Sequence, residues 1–177
     1  MRFTEDLYTQ VMYIPRAIIM MFFMSFAYMF IKENGLSKAK TKLAGFVKRP
    51  WELLFVFYLS FLIVSTLLVR WPRNPYGNVF NSFGLFDEGG WNYECIENVL
   101  LFIPYTYLYL KSTALASPWK SALIITLCTT AFIEFSQLLF WLGQFQIADM
   151  FHNLIGGMIG CCIWYVIRAV RRSIRGQ

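Results

Sequence analysis

Residues 119–142 read WKSALIITLCTTAFIEFSQLLFWL, and beyond Lys120 this stretch carries a single charged residue, Glu134. A helix of that length reaches about 36 Å, enough to cross the hydrocarbon core of a bilayer, which takes roughly 17–25 residues. Working outward, four more apolar runs cover residues 11–31, 52–69, 95–110 and 150–170. The run at 95–110 is short for a span. It must recruit neighbours, starting near Trp91, or lie in a thinned region of the bilayer. The run at 11–31 is too long for a signal peptide and lacks a small-residue cleavage site.

Composition agrees with this reading. Of 177 residues, 58% are hydrophobic and only 15% charged, and the mean hydropathy is +0.50. Soluble domains carry about 25% charged residues, so this chain is too poor in charge to cover a globular surface. The expected fold is all-α: a multi-pass membrane protein of about five transmembrane helices, forming a single membrane domain over residues 1–177. The net charge of +6 does not indicate nucleic acid, because the basic residues sit between and after the apolar runs. Cys95, Cys128, Cys161 and Cys162 show neither a CxxC pair nor zinc spacing and read as packing residues.

Basic residues then orient the chain. The first loop holds Lys32, Lys38, Lys40, Lys42, Lys48 and Arg49, the third holds Lys111 and Lys120, and the tail holds Arg168, Arg171, Arg172 and Arg175. With five spans these regions share one side, which the positive-inside rule assigns to the cytoplasm. Only Arg2, Arg16, Arg70 and Arg73 fall opposite. The N-terminus is therefore expected outside, the C-terminus inside, and the long loop between helices two and three outside. Trp51, Trp71, Trp119 and Trp141 fall at span ends, where interfacial anchors belong.

Within that frame most acidic and amide side chains gather near the outer surface. Glu134 lies in the outer half of helix four, where an ionisable group costs several kcal/mol unless paired or wetted. Gln137 shares its helix face at i+3. Helix five opens with Asp149, followed by His152 at i+3 and Asn153 at i+4, and Gly156 and Gly160 extend the stripe as a small-xxx-small pair. Packing helices four and five as an antiparallel pair brings Glu134, Gln137, Asp149 and Asn153 together. Glu97 and Asn98 open the third helix. Pro104 is expected to interrupt it, leaving the Leu100 carbonyl without its usual donor. The loop from Trp71 to Tyr93 is rich in aromatics and includes Asn81; it is expected to lie on the membrane or cap the polar cluster. The same residues have plainer readings. Glu134 and Gln137 can serve as interhelical hydrogen-bonding glue, His152 as hydrogen-bonded structure, and Arg16, Arg70 and Arg73 can snorkel to lipid phosphates.

The order and spacing of these residues resemble the VanZ-like membrane proteins. Their C-terminal signature is an E-x-x-Q on one helix and a D-x-x-x-N-x-x-G opening the next, matched here by Glu134, Gln137, Asp149, Asn153 and Gly156. Asn98 to Pro104 resembles an N-x-x-x-F-x-P segment, and residues 81–86 stand where an N-L-I-P-F-like motif occurs. The resemblance covers about residues 70–168. There are departures: Gly143 and Gln144 occupy the region where an Arg is usual, Gln146 stands at an often acidic position, Thr106 replaces a frequent Gly, and Gly84 replaces a proline. The resemblance implies an integral, multi-pass plasma-membrane protein, a divergent member of a family associated with resistance to glycopeptide antibiotics, teicoplanin in particular.

Three functions follow from this reading. The first is a non-enzymatic binding protein. Its outward polar cavity would take a cell-envelope lipid, a lipid-linked wall precursor or the lipophilic glycopeptide, using Glu134, Gln137, Asp149, Asn153, Asn98, Asn81, Arg70 and Arg73. The second is an intramembrane enzyme acting on a lipid-linked envelope intermediate, with Glu134, Asp149 and His152 as candidate catalytic groups. The third is a small lipid or drug transporter, for which five spans would call for a homodimer. Binding ranks first, since no phosphate loop, HExxH, GxSxG or dinucleotide fingerprint is present. No cofactor or metal is expected. Membrane lipids are the expected surroundings and nucleic acid is not an expected partner.

Overall fold

The computed structural model describes residues 15–16, 18–24, 50–68, 86–87, 90–91, 93–113, 116–142 and 145–176. The chain divides into two compact units, Met1–Trp71 and Pro72–Gln177. The helical fold class expected from the sequence is observed. Among the described residues the exception is a two-residue antiparallel ladder, β1 (Phe86–Asp87) with β2 (Gly90–Trp91), in register Phe86 to Trp91 and Asp87 to Gly90.

In the first unit, residues 18–24 are helical and α1 spans Pro50–Ile63. Pro50 suits a helix start, where its missing N–H costs nothing. The Ser60 hydroxyl reaches both the Val56 carbonyl at 2.7 Å and the Met24 sulfur at 3.3 Å. At its end α1 widens into a π-turn, Val64–Leu68. The cause is local: Ser65 and Thr66 both donate to the Leu62 carbonyl, at 3.0 and 2.7 Å. Side-chain hydroxyls competing for one carbonyl loosen the α pattern there.

The second unit contains α2 (Tyr93–Ser112), α3 (Pro118–Phe140) and α4 (Ile147–Ile174). Among the described residues, three stretches are long and apolar enough to cross a membrane: Pro50–Leu67, Pro118–Phe140 and Ile147–Ile174. The short third run does recruit neighbours, since α2 begins at Tyr93 and has 20 residues, about 30 Å of helix. Glu94, Glu97 and Lys111 keep it more polar than the other three. Most of the first apolar run lies outside the described residues.

Helix α4 is the hub. Its most extensive contact is with α2, followed by α3. Gly156 and Gly160 lie against α2, where a Cβ would drive into the carbonyl oxygens of Val99 and Ile103 respectively. Gly157 points elsewhere, toward α3: a Cβ there would stand 2.5 Å from the Thr126 hydroxyl and 3.1 Å from that of Thr106. The ascending pairs 99–156 and 103–160 make α2 and α4 parallel. The packing of Thr126 against Gly157, with the Thr130–Asn153 bond described below, makes α3 and α4 antiparallel. Small residues are what let membrane helices approach this closely.

This packing corrects one expectation. Pro104 does not break α2, which runs through it as a continuous helix. Proline removes one donor, for the Leu100 carbonyl. Yet Val99 and Ile103, on either side of that carbonyl in sequence, are held backbone to backbone on α4. Tertiary contact holds this part of α2 against α4. Helices α2 and α3 also join directly, through Tyr105 Oη to Thr129 Oγ1 at 2.6 Å and Thr106 Oγ1 to Thr126 Oγ1 at 3.0 Å. At the far end Leu110, Ala122 and Cys161 pack into a small apolar cluster.

The cysteines divide by environment. Cys95 and Cys161 are buried, Cys128 and Cys162 are exposed, and all four are free thiols. Trp51, Trp119 and Trp141 stand at helix ends and are exposed, as interfacial anchors would be, whereas Trp71 lies outside the described residues. Trp141 also stops α3. It adopts the left-handed conformation (φ 57°), with its N–H toward the Leu138 carbonyl and the Leu142 N–H on the Gln137 carbonyl at 2.9 Å. Glycine usually fills that place, because a Cβ is strained there.

A Cβ at Gly160 has no space that a side-chain rotation could supply, since the obstacle is backbone. Gly160→Ala should lower stability by about 3 kcal/mol, read as thermal unfolding by circular dichroism in mild detergent. Alanine at Ile159, on the exposed side of the same turn, should cost far less. Equal effects would contradict the seam.

Candidate functional site

Four polar residues of α3 form one stripe: Thr126, Thr130, Glu134 and Gln137 follow at intervals of four, four and three, and all are buried. Opposite them on α4 lie Gly157 and Asn153. The Asn153 amide donates to Thr130 Oγ1 at 2.8 Å in a buried contact. Asp149 is one turn before Asn153 and Glu134 one turn after Thr130, so the antiparallel register places the two carboxylates at one level.

Glu134 is 2% exposed. Its Oε2 accepts a hydrogen bond from the backbone N–H of Gln146 at 2.9 Å. Gln146 is the N-cap residue of α4 and supplies no side-chain cap of its own. The first N–H groups of any helix lack intrahelical partners, and in a bilayer each orphan is costly. A carboxylate borrowed from α3 therefore fills the role that a capping-box residue normally takes. The positive end of the α4 dipole favours the negative charge in return. Asp149 is the third residue of α4 and adds an acidic group to the same turn.

Glu134 thus meets the start of α4 through a backbone donor, and Asn153 ties the next turns of α4 to α3. Gln137 and His152 are buried, and the His152 ring stands edge-on to Phe151 at 6.1 Å. Asp149 is half-buried. Asn98 is half-buried too and lies on α2 immediately before Val99, at the Gly156 level. Asn81, Arg70 and Arg73 lie outside the described residues. Among the described residues, no group of three or more His, Cys, Asp or Glu side chains is placed to hold a metal.

Buried polar atoms at this site are left unfilled. Asn153 Oδ1 is buried and accepts no hydrogen bond from the protein. Gln137 Oε1 and His152 Nδ1 are also buried without a hydrogen bond at that atom, although both residues make other interactions. Leaving a buried acceptor unmet costs about 1–3 kcal/mol, so the arrangement suits a donor arriving from outside the chain. Reading the sequence missed Thr126, Thr130, Tyr105 and Thr106 as parts of this end. The four-residue spacing of Thr126, Thr130 and Glu134 was the available signal.

The family model described as VanZ/LLP1 matches residues 11–168. The chain belongs to the VanZ/LLP1 family. The match begins well before residue 70, where the motif resemblance began, and takes in the first two apolar runs as well. Among curated proteins and solved structures, none matches the chain significantly. Membership and the three apolar helices together make this a VanZ-like membrane protein. Its signature residues acquire physical roles here: the Glu of E-x-x-Q caps the helix that D-x-x-x-N-x-x-G opens, the Asn ties back to α3, and the Gly admits α2.

The Thr130–Asn153 bond should contribute about 1 kcal/mol, as interhelical hydrogen bonds in bilayers do. Thr130→Val should lower stability by that amount, and adding Asn153→Leu should cost little more, since both partners are then apolar. Strictly additive losses in detergent unfolding would show that the two side chains do not depend on each other.

Proposed function

We propose that this VanZ-like protein is a binding protein rather than an enzyme. In this reading the start of α4 takes a donor group of a cell-envelope lipid, a lipid-linked wall precursor or a lipophilic glycopeptide, and the outcome for the cell is resistance to teicoplanin. The observation that carries it is the buried, unfilled Asn153 carbonyl oxygen beside the Glu134-capped helix start. A hydroxyl- or amide-rich ligand supplies the hydrogen that this oxygen lacks. Glu134 already accepts a fixed backbone donor, which suits positioning better than proton transfer.

The charge bias along the chain supports an orientation with this end facing outward across the plasma membrane. There it would meet wall precursors and antibiotic. Asp149, at the Glu134 level, and Asn98, at the Gly156 level, stand nearest by register among the other candidate contacts.

The test is teicoplanin susceptibility in a sensitive Gram-positive host, at matched membrane expression. The wild type should raise tolerance above an empty vector. Asn153→Leu should return it to the vector level, because the acceptor is gone. Thr130→Val, which keeps that acceptor and removes only the interhelical bond, should retain most of the effect. Purified protein incubated with lipid-linked wall precursors should leave their masses unchanged. Full tolerance in Asn153→Leu would remove the site, and a change in precursor mass would favour an enzyme.

A further inference from the structure

At the opposite end of the second unit, a cleft of about 710 Å³ opens between the C-terminal turns of α2 and α4. Its cationic wall consists of Lys111 from α2, Arg168, Arg171 and Arg172 from α4, and Arg175 at the α4 C-cap. No carboxylate is among its described lining residues. The four arginines follow at i, i+3, i+4 and i+7, so they share one face of α4. Charges that serve only to hold a terminus in the cytoplasm need no common face. These converge, and they meet a lysine from a different helix.

The remaining wall has a different character. Leu110 and Ile167 line it with aliphatic surface, and Trp164 lies beneath Arg168, whose guanidinium is 4.9 Å from the ring centroid. A Trp at the end of an apolar helix marks interfacial depth, and the Arg held over its ring also lines the cleft. Lys111 stands just beyond the apolar run of α2. Loss of water, then the Arg171 and Arg175 charges, lower its pKa from the ordinary lysine value. Four arginines converging with a lysine on one cleft are a prepared place for an anion. Arginine forks match phosphate oxygens bidentately, and basic pockets between membrane helices take anionic lipid headgroups.

We infer that the cleft between the ends of α2 and α4 binds a phosphate-bearing anion, with Arg171 and Arg172 gripping the phosphate and Leu110, Ile167 and Trp164 accepting apolar surface attached to it. The phosphate belongs either to an acidic phospholipid or to a free soluble anion. This site is independent of the one around Glu134.

Native mass spectrometry of the full chain in neutral detergent tests it. Phosphatidylglycerol and phosphatidylcholine of matched chain length are added in one arm and inorganic diphosphate in another. The wild type should retain phosphatidylglycerol over phosphatidylcholine, and Arg171→Gln with Arg172→Gln should weaken that retention roughly tenfold. Arg171→Lys with Arg172→Lys keeps the charge that sets orientation, and should lose part of the retention with the bidentate geometry. Lys120→Gln removes a cation that does not line the cleft, so it should change nothing. Binding of diphosphate with the same arginine dependence, without lipid preference, would assign the free anion as the source. Equal retention of both lipids with no diphosphate bound, or Gln variants that retain lipid like the wild type, would overturn the site. Circular dichroism of each variant confirms that it is folded.

Discussion

Three glycines on α4 leave no room for a Cβ, and the second unit depends on that constraint. Gly156 and Gly160 admit the backbone of α2, while Gly157 admits the hydroxyls of Thr126 and Thr106. Without hydrophobic exclusion from water to drive them together, membrane helices associate through close packing and hydrogen bonds. Here the first makes the second possible. Only because α4 is thin at Gly157 can Thr106 and Thr126 reach each other at 3.0 Å. Only because α3 is then close can Asn153 reach Thr130, and Glu134 the Gln146 N–H, at the start of α4.

The two ends of this unit carry opposite chemistry. At the start of α4 a buried carboxylate meets the positive end of a helix dipole. Past its last apolar turns, arginines and a lysine gather around a cleft. Both arrangements follow from the same parallel α2 and antiparallel α3. That topology puts the start of α2 and the end of α3 beside the first turn of α4, and the end of α2 beside the last.

Much of this was legible in the residues themselves. The apolar runs located α1, α3 and α4, and the i, i+3 and i, i+4 spacings picked out Glu134, Gln137, Asp149 and Asn153. What failed was reading side chains as though they answered only to side chains. A backbone N–H meets Glu134, and Gln146 entered the sequence reading only as a departure from an acidic position. Pro104 looked like a break because local propensity cannot register two carbonyls pinned against glycines on a helix more than fifty residues away. The threonines were overlooked because a hydroxyl inside an apolar run has no charge to attract notice. Its weight comes from its spacing and from what faces it.

The most direct test of the glycine constraint is disulfide formation between Thr106→Cys and Thr126→Cys in membrane vesicles. Cys95, Cys128, Cys161 and Cys162 are replaced by alanine, and a protease site is placed between α2 and α3. Hydroxyls at hydrogen-bonding distance put the new sulfurs within reach of a bond without backbone movement. The account predicts rapid oxidation, so that the cleaved halves stay joined until reduced, and loss of that linkage when Gly157→Leu is added. Failure to crosslink with glycine in place, or equal crosslinking with leucine there, would contradict it.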